Sequence, residues 1–321
     1  MGTRIVVAMS GGVDSSVAAH LLREQGYEVI GLFMRMGVSA EAPDAPTGRT
    51  CCSAADAFDA RRVAASLGIP FYVLNFEQQF RAIMDYFCAE YGRGRTPNPC
   101  IRCNEWLKFG RLLEFAKSLD APFVATGHYA RVERVAVGAI HESPLPTGDA
   151  PRLGRVGERF VLKKGLDPSK DQSYVLFPLK QPQLASALFP VGSLTKKQVR
   201  EIARKLDLRV KDKPDSQEIC FVPDDNYRRL ILERSGQPLR PGLIKDTTGK
   251  VLGQHPGIQF FTIGQRRGLG IATGKRRYVV RIDPVENVVI VGSYADALKR
   301  EFIASDLNWI AIDRLDKPLS V

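Results

Sequence analysis

A short turn rich in glycine and serine, set between a strand pattern and a helix pattern, most constrains the fold of this chain. Residues 4–9 form an apolar, β-branched run typical of a buried strand, and residues 13–25 place apolar side chains at helical spacing before Gly26. The turn between them has the sequence Ser-Gly-Gly-Val-Asp-Ser-Ser over residues 10–16. This strand, turn and helix are typical of the first unit of an α/β fold.

The alternation of strand and helix continues through the first 126 residues. Further strands are predicted at 28–34, 71–74 and 122–126, and helices at 54–67, about 78–91 and about 104–119. Ser53 followed by Asp56 resembles a capping box that begins the first of these helices. The alternation implies right-handed crossovers and therefore a doubly wound, mostly parallel sheet with helices on both faces. Ligands of such sheets bind at the carboxyl ends of the strands.

The pattern changes in the second half of the chain. Residues 137–151 are rich in glycine and proline and are predicted to form a variable loop, followed by a strand at 159–164 and a basic helix at 195–206. After Pro214, strands are predicted at 260–263, 278–282 and 288–291. We therefore expect an α/β domain over residues 1–214, a small central domain over 215–276 and a β-rich carboxyl-terminal domain over 277–321.

Composition excludes several classes of protein. The chain has 321 residues, 44% of them hydrophobic and 25% charged, a balance that excludes disorder and a fibrous architecture. No apolar run approaches the roughly 18 residues of a membrane span, and no signal-peptide core is present, so we expect a cytosolic protein without membrane association. The net charge of +11 favours a polyanionic partner, with a solvated basic surface as the alternative.

The turn at residues 10–16 has the chemistry of an anion site. Two glycines let the backbone approach a phosphate, the hydroxyls of Ser10, Ser15 and Ser16 add donors, and the start of the helix adds partial positive charge. The turn lacks the Gly-Lys-Ser/Thr ending of a P-loop and the Gly-x-Gly-x-x-Gly of a dinucleotide site. The alternative is a plain strand-to-helix turn capped by serine.

Six cysteines in a chain of this length indicate metal, cluster or sulfur chemistry rather than a disulfide framework. Cys103 stands between Arg102 and Asn104, and we expect Asn104 to cap the following helix. A neighbouring cation and a helix start both favour a thiolate, so Cys103 is a candidate nucleophile. Half of a zinc site with Cys100 is the alternative. Cys220 is either a reactive thiol or part of the core. Cys51 and Cys52 are expected to be structural or adventitious thiols, and Cys88 is expected to lie in the core.

Six motifs along the chain carry a resemblance to a known family. They are the turn at 10–16, Asn-Pro-Cys-Ile-Arg-Cys-Asn at 98–104, Thr-Gly-His-Tyr-Ala-Arg at 126–131, Lys-Asp-Gln-Ser-Tyr at 170–174, Asp-Ser-Gln-Glu-Ile-Cys-Phe at 215–221 and Thr-Ile-Gly-Gln-Arg-Arg-Gly at 262–268. The turn resembles the pyrophosphate loop of ATP pyrophosphatases, and the motifs together resemble the tRNA-specific 2-thiouridylase, or MnmA, family. The resemblance covers nearly the whole chain and implies an adenine nucleotide hydrolase-like α/β domain.

The resemblance implies that the chain binds ATP with Mg²⁺ and splits ATP into AMP and pyrophosphate. The turn would grip the β and γ phosphates, Asp14 would help to hold Mg²⁺, and Met34 and Gly127 would border the adenine and the α-phosphate. The implied ATP-binding residues are Ala8, Met9, Ser10, Gly11, Gly12, Val13, Asp14, Ser15, Met34 and Gly127.

The resemblance also implies a reaction on the anticodon arm of tRNA. ATP would adenylate O2 of the flipped-out wobble uridine, and a persulfide on Cys220 would then supply sulfur, with Cys103 as the partner thiol. The sulfur would come from a donor protein or from inorganic sulfide. The implied contacts are Asn98, Pro99 and Cys100 with the base, and Lys170, Asp171 and Gln172 with the RNA.

Two features depart from the family pattern. Many members carry Asp where this chain has Cys100, which opens a second route for sulfur. In that route Cys100, Cys103 and Cys220 ligate a [4Fe-4S] cluster whose fourth iron binds an exogenous sulfide. The family also has a carboxyl-terminal β-barrel, and because the chain stops at Val321 we expect that barrel to be incomplete or unusually small.

Two basic clusters are predicted to form a path for the tRNA backbone, although such a cluster taken singly is more often a solvated face. They are Lys196, Lys197, Arg200, Arg204 and Lys205 in one cluster, and Arg266, Arg267, Lys275, Arg276 and Arg277 in the other. Two other functions stay open. One is an ATP pyrophosphatase that adenylates a small molecule, which needs neither Cys103 nor Cys220. The other is a non-catalytic, cluster-containing RNA-binding sensor, which needs no phosphate loop.

Overall fold

The computed structural model describes residues 2–37, 53–137, 157–215, 219–222, 226–234 and 238–320. Several sequence predictions concern residues outside these ranges. They are most of the variable loop, the pair Cys51 and Cys52, and residues 216–218 of the motif that contains Cys220.

The first half of the chain is built around a parallel sheet, as predicted. The strands up to residue 188 are β1 (Arg4–Ala8), β2 (Glu28–Arg35), β3 (Phe71–Asn75), β4 (Phe123–Ala125), β5 (Ala130–Val137), β6 (Gly157–Lys164) and β7 (Ala187–Leu188). Five of them form one sheet in the order β3-β2-β1-β4-β7, with every neighbouring pair parallel. The chain moves outward from β1 to β3 and resumes on the other side at β4. The loops after β1 and β4 therefore diverge and leave a crevice between them.

Helices cover both faces of this sheet. The helices of this region are α1 (Val13–Glu24), α2 (Ala54–Ser66), α3 (Glu77–Gly92), α4 (Pro99–Arg102), a π-helix (Cys103–Arg111), α5 (Leu112–Ser118), α6 (Gln181–Ala185) and α7 (Lys196–Lys205). Alternate residues of β1 enter two separate cores. Ile5 and Val7 pack with α1, α2 and α7, whereas Val6 and Ala8 share a core with α3, the π-helix and α5. This arrangement confirms the doubly wound fold.

The predicted start of α2 is confirmed in detail. The backbone N–H of Asp56 donates to Ser53 Oγ at 3.1 Å, and the backbone N–H of Ser53 donates to Asp56 Oδ2 at 3.0 Å. Both members of a capping box are present, so two backbone donors at the helix start are satisfied. The box also fixes Asp56, a buried carboxylate that borders the candidate site.

Residue 137, where the variable loop was predicted to begin, is the last residue of β5, and the rest of that predicted loop up to residue 151 lies outside the described residues. This strand pairs with β6 in an antiparallel two-stranded sheet from Ala130–Lys164 to Val137–Gly157. Val132 and Leu162 lie opposite each other and pack against the main core. The cross-strand pairs stabilise a strand that sequence patterning missed, because alternating charges obscure its apolar face.

The second half of the chain carries a separate mixed sheet. Its elements are α8 (Tyr227–Arg234), β8 (Gly242–Asp246), β9 (Val251–His255), β10 (Tyr278–Asp283), β11 (Val288–Gly292) and α9 (Tyr294–Ala297). The strand order is β10-β11-β8-β9, and over the described residues the sheet is open rather than a closed barrel. Residues on both sides of the predicted boundary at 276–277 contribute to it. The domain boundaries stay predictions, but that one would divide a sheet.

One predicted strand in this region is wrong. Residues 258–260 form a 3₁₀ turn, Ile258–Phe260, and the chain continues irregularly to residue 263. Phe260 and Phe261 are both buried, although neighbouring strand residues would point to opposite faces. The prediction failed because an apolar run by itself does not distinguish a strand from a buried turn. Among the described residues, no helix combines the length and apolar character needed to cross a bilayer.

Candidate active site

A cavity of about 450 Å³ lies at the carboxyl ends of β1, β2 and β4. It opens at the crevice where the loops after β1 and β4 diverge. The predicted ATP-binding residues on its wall are Ala8, Met9, Ser10, Gly12, Val13, Asp14, Ser15, Met34 and Gly127. The fold therefore brings nearly all of that predicted set to one place.

The phosphate loop, residues 10–16, is held in shape by its own hydroxyls. The backbone N–H of Ser10 donates to Ser15 Oγ at 3.1 Å, and Ser16 Oγ donates to the carbonyl of Gly12 at 2.7 Å. Ser16 is fully buried, so its predicted role as an anion donor is wrong: its hydroxyl stabilises the loop instead. No side chain caps the first turn of α1, which leaves the helix start open to an anion.

Two glycines allow close backbone approaches around this loop. Gly11 has φ +72°, and a Cβ there would lie 2.3 Å from the carbonyl oxygen of Asp56 in α2. A Cβ at Gly127 would lie 2.6 Å from the backbone nitrogen of Ser15. Both contacts are too short for any side chain. Glycine is therefore required where α2 and the turn after β4 pack against the loop.

His128 follows Gly127 in the turn after β4 and lines the cavity. Its Nδ1 lies 2.6 Å from Thr126 Oγ1, and the ring is buried. Burial, with a smaller contribution from the positive charge of Lys108, holds the pKa of His128 well below its usual value. The imidazole is therefore neutral at pH 7. The Thr-Gly-His string identifies this turn, but sequence alone did not place Lys108 beside it.

The first cysteine pair lies on a helix that starts earlier than predicted. The Asn98 side chain accepts a hydrogen bond from the backbone N–H of Cys100 at 3.1 Å, and Pro99 occupies the first helical position. Asn104 is buried and donates to the carbonyl of Val175 instead of capping a helix. The partial positive charge of the helix start is therefore closer to Cys100 than to Cys103.

The second argument for a Cys103 thiolate is also weakened by the structure. The guanidinium of Arg102 lies 2.6 Å from Glu105 and over the rings of Tyr86, at 5.1 Å, and Trp106, at 5.4 Å. Because the positive charge of Arg102 is paired with the Glu105 carboxylate, it stabilises a thiolate on Cys103 less than an unpaired charge would. The position of Arg102 next to Cys103 in the sequence suggested a contact between these two residues. On a helix, however, residues three apart share a face, so Arg102 pairs with Glu105.

Cys220 reaches the same cavity from a distant part of the chain. The Phe221 ring packs edge-on against Phe80, with ring centroids 5.6 Å apart, and against Phe87, at 5.2 Å. Phe221 is buried, so the residue after Cys220 is anchored on α3. Cys100, Cys103 and Cys220 all line the cavity, which brings together three cysteines that span 120 positions in sequence.

The three cysteines do not form a site for a single metal ion among the described residues. Over the ranges that the structure describes, no three His, Cys, Asp or Glu side chains stand close enough together to hold a metal ion. A cluster bound through three irons requires three thiolates around one centre. The [4Fe-4S] alternative stays a prediction, with Cys100, Cys103 and Cys220 as the residues that would hold the cluster, and we derive no chemical step from it.

A network of charges joins the phosphate loop to the Cys220 segment. Lys196 Nζ lies 2.8 Å from Asp14 Oδ1 and 2.7 Å from Asp215 Oδ1. Asp215 also binds Lys170 at 2.8 Å and Arg200 at 3.1 Å. Burial alone would raise the pKa of Asp215, but hydrogen bonds from Lys170 and Lys196 lower it to about 2. This carboxylate is ionised throughout the physiological range.

Lys213 supports the phosphate loop from behind. Its ammonium donates to the carbonyl of Gly11 at 3.1 Å and to Asp56 at 2.7 Å and Asp59 at 2.9 Å. Burial opposes the charged form, but the hydrogen bonds to the two carboxylates raise the pKa of Lys213. Sequence reasoning missed this residue, since nothing local links it to a loop two hundred positions away.

The three residues predicted to contact RNA near position 171 have different environments. Lys170 and Gln172 line the cavity, and Gln172 Oε1 also accepts from the backbone N–H of Tyr129 at 3.0 Å. Asp171 accepts from the backbone N–H of Gly165 at 2.9 Å and from the Ser173 hydroxyl at 2.9 Å. The side chain of Asp171 therefore fixes the local turn.

The predicted basic path on α7 requires correction. Lys196 and Arg200 face inward and bind Asp215, so they are not part of a basic surface. Lys197, Arg204 and Lys205 are exposed on the same helix. In the second cluster Arg266, Arg267, Lys275 and Arg276 are exposed and Arg277 is partly buried. The exposed residues stay candidates for contacts with a nucleic-acid backbone.

Comparison with known proteins identifies the family. A family model described as the tRNA methyl transferase HUP domain matches residues 3–224, and one described as the tRNA methyl transferase PRC-barrel domain matches residues 231–293. The tRNA-specific 2-thiouridylase MnmA of Clostridium perfringens is 48% identical over 319 residues, which is 99% of this chain and 83% of that protein. The chain belongs to the MnmA family. The MnmA 2 protein of Caldanaerobacter subterraneus is 49% identical over 99% of this chain and 82% of its own length.

Membership of the MnmA family confirms the resemblance inferred from the six motifs. A third relative, MnmA of Clostridioides difficile, is 45% identical over the whole of this chain and 83% of its own length. These matches extend across both the α/β domain and the β-rich sheet. The cavity and the mixed sheet therefore belong to one MnmA architecture.

Proposed function

We propose that this chain is an ATP-dependent tRNA sulfurtransferase that converts the wobble uridine of tRNA into 2-thiouridine. One observation carries the proposal. Cys103 and Cys220, which are 117 positions apart in the sequence, line the same cavity as the phosphate loop. An enzyme that only adenylated a small molecule would need neither thiol there, and a sensor without catalysis would not need the loop. The name of the MnmA relatives, tRNA-specific 2-thiouridylase, supports the same reaction.

The first step is adenylation. The uridine O2 attacks the α-phosphorus of ATP, the bond from phosphorus to the bridging oxygen breaks, and pyrophosphate leaves. Residues 10–15 hold the β and γ phosphates at the start of α1, where backbone N–H groups are available. Met34 and Gly127, on the adjacent strand ends, border the adenine and the α-phosphate.

The second step transfers sulfur. The terminal sulfur of a persulfide on Cys220 attacks C2 of the activated uridine, and the bond from C2 to the oxygen of AMP breaks. The Cys103 thiolate then attacks the Sγ of Cys220, which forms a Cys103–Cys220 disulfide and leaves the outer sulfur on the base. A thiol reductant returns the two cysteines to thiols, and the Cys220 thiolate then takes the outer sulfur of a donor protein's persulfide, whose own cysteine leaves as a thiolate. With inorganic sulfide as the source, sulfide instead attacks Cys220 Sγ in the disulfide, which forms the Cys220 persulfide and releases the Cys103 thiolate.

The cavity has oxygen ligands suited to the Mg²⁺ that accompanies ATP. Asp14 presents a carboxylate within the phosphate loop, and Mg²⁺ in such sites takes one or two carboxylates together with substrate phosphates. When bound, Mg²⁺ neutralises charge on the phosphates. Tyr129, whose hydroxyl donates to Asp14 Oδ1 at 2.9 Å, and Lys196 hold this carboxylate in place.

The base and the anticodon arm enter from the side of α4. Pro99 and Cys100 line the cavity, while Asn98 caps α4 and so sets the position of both. Lys170 and Gln172 border the opening and contact the RNA. The exposed arginines Arg266 and Arg267 contact phosphates farther along the arm.

The test is mass spectrometry of tRNA nucleosides after incubation with ATP, Mg²⁺ and sulfide or a persulfide donor. We expect 2-thiouridine with the wild type and none with Cys103→Ser or Cys220→Ser. Both variants should retain tRNA-dependent pyrophosphate release, because neither cysteine takes part in adenylation. Cys88→Ala is the control, since this buried thiol lies outside the cavity.

Two outcomes would contradict the proposal. Thiolation that survives either cysteine substitution would remove the sulfur-transfer step. Pyrophosphate release that responds to a small molecule but not to tRNA would favour an ATP pyrophosphatase with a different substrate.

A further inference from the structure

Among the described residues, the cavity wall contains one more positive charge than negative charge. Its charged side chains are the lysines Lys108, Lys170, Lys196 and Lys213 and the aspartates Asp14, Asp56 and Asp215. Each aspartate forms an ion pair with one or more of three of these lysines. The unpaired positive charge of the cavity wall is therefore that of the fourth lysine.

That fourth lysine is Lys108. Among the residues that the structure describes, no carboxylate lies within ion-pair distance of Lys108, whereas Lys170, Lys196 and Lys213 each bind at least one. The Lys108 side chain is partly buried, so it has lost part of its hydration without gaining a counter-ion. A cation in that position favours an anionic ligand in the cavity.

The position of Lys108 specifies which anion. Lys108 lies on the π-helix, five residues after Cys103, and its charge acts on His128 in the turn after β4. Gly127 of the same turn packs against the phosphate loop at Ser15. Lys108 thus lines the same cavity as the phosphate loop and acts on the turn that packs against that loop.

The groups near Lys108 indicate that its counter-ion is a phosphate of a ligand and not a carboxylate of the protein. His128 is neutral, so it adds no competing charge, and the nearest acid on the π-helix, Glu105, is already bound to Arg102. An arriving phosphate oxygen would therefore meet one unneutralised cation in a partly desolvated site, where an ion pair is stronger than in water.

We propose that Lys108 contacts the α-phosphate of ATP, the phosphate that remains in AMP. This inference rests on the proposed function, because it assumes that the loop holds the β and γ phosphates. As O2 of the uridine bonds to the α-phosphorus and the bond to pyrophosphate breaks, negative charge accumulates on the non-bridging α-oxygens. Lys108 stabilises that charge and then stays with the AMP half of the adenylated base.

The experiment compares the binding of ligands that contain the α-phosphate with the binding of ligands that lack it. The affinities of AMP, adenosine and pyrophosphate are measured by calorimetry for the wild type, Lys108→Met and Lys108→Arg. We expect Lys108→Met to weaken the binding of AMP about tenfold, because AMP carries the contacted phosphate. The affinities for adenosine and pyrophosphate should stay within about twofold of the wild-type values. Lys108→Arg keeps the charge and should retain most of the AMP affinity.

A kinetic measurement on the same proteins addresses the reaction. Loss of one preorganised charge at a transition state lowers rates by about 10²–10³. Single-turnover release of pyrophosphate from saturating ATP and tRNA should fall by that factor in Lys108→Met. Lys117→Met is the matched control, since Lys117 is an exposed lysine at the end of α5 and should behave as the wild type.

The outcomes are distinguishable. Unchanged AMP affinity in Lys108→Met, or equal weakening of AMP and pyrophosphate, would overturn the assignment to the α-phosphate. Normal pyrophosphate binding shows that the variant is folded around the loop. If the wild type bound neither ATP nor AMP, the proposed function itself would fail, whereas normal wild-type binding with an insensitive Lys108 would overturn this inference alone.

Discussion

The ammonium of Lys196 lies 2.8 Å from the carboxylate of Asp14, a residue 182 positions earlier in the chain. The same ammonium lies 2.7 Å from Asp215, so one lysine ties the phosphate loop to the segment that leads into Cys220. Its side chain is only 12% exposed. The phosphate loop and the segment that leads into Cys220 therefore have this ammonium as a common partner.

Replacing Lys196 with methionine should destabilise the protein. The substitution leaves Asp14 and Asp215 without their common partner, and breaking a buried ion pair from one side costs about 3 kcal/mol, with partial exposure placing this case at the lower end. Urea-induced unfolding measures the change. Lys197→Met, on the exposed face of the same helix, is the control and should change stability by less than about 0.5 kcal/mol.

A double-mutant cycle sharpens that prediction. If the Lys196–Asp215 pair carries the effect, the costs of Lys196→Met and Asp215→Asn should not add, and the interaction energy should lie at about 1–3 kcal/mol. Strict additivity of the two costs would show that the ion pair does not contribute to folding.

Asp215 should make the free energy of unfolding depend on pH in the acidic range. Its pKa falls from 3.8 to about 2 on folding, because hydrogen bonds from Lys170 and Lys196 outweigh burial. A lowered pKa contributes stability that is complete above pH 3.8 and is lost as the pH falls towards 2. The difference between wild type and Asp215→Asn in free energy of unfolding should shrink by about 2 kcal/mol over that window.

Denaturant unfolding at pH 6, 4 and 2.5 measures this difference. Asp212→Asn is the control, since the Asp212 side chain is 72% exposed and its nearest cation, on Arg204, is 3.9 Å away. A wild-type minus Asp215→Asn difference that stayed constant with pH would contradict the origin given for the shift.

Gly11→Ala should disrupt the phosphate loop more than an equivalent substitution elsewhere. Gly11 has φ +72° and no room for a Cβ, whereas Gly26 has φ +84° and no atom within 4 Å of the Cβ position. Both variants carry the backbone strain of about 1 kcal/mol, and only Gly11→Ala adds a clash with Asp56. We expect Gly11→Ala to lose ATP binding and Gly26→Ala to retain it. Equal ATP affinity in the two variants would show that the loop tolerates a displacement of α2.

The exposed arginines Arg266 and Arg267 should contribute to tRNA affinity without affecting ATP. Each phosphate that a basic side chain neutralises makes the slope of log affinity against log salt steeper by about 0.7–0.9, so each lost contact makes it shallower by that amount. Replacing both with alanine should therefore reduce the slope by about 1.5, measured by filter binding between 50 and 200 mM salt. Lys117→Ala removes an exposed charge from another surface and is the control. An unaltered slope would exclude this stretch from the tRNA path.

Local sequence patterns predicted most of the α/β domain. Periodicity predicted the sheet strands through β4 and the helix after the phosphate loop, and cap chemistry predicted the Ser53–Asp56 capping box. Both signals depend on residues close together in the chain. Neither signal predicted the π-helix at Cys103–Arg111 or strands β8 and β9. Their residues lack a clear period, and packing against other elements selects their conformation.

The same division applies to the candidate site. The phosphate loop and Cys103 stood out because their motifs are contiguous, and the resemblance to the family added Cys220. The environment of each residue was not predictable. Arg102 belongs to Glu105 rather than to Cys103, and the helix cap is Asn98 rather than Asn104.

By itself, the sequence determined the alternation of strands and helices from β1 to β4, the turn that approaches a phosphate and the family to which the chain belongs. Only the tertiary structure decided that Lys196, Lys213 and Asp215 surround that turn and that Lys108 is the cavity lysine with no acidic partner among the described residues. The physical reason is range. Hydrogen bonds in a turn join neighbours in the chain, whereas charges within a cavity pair according to distances that only the fold sets.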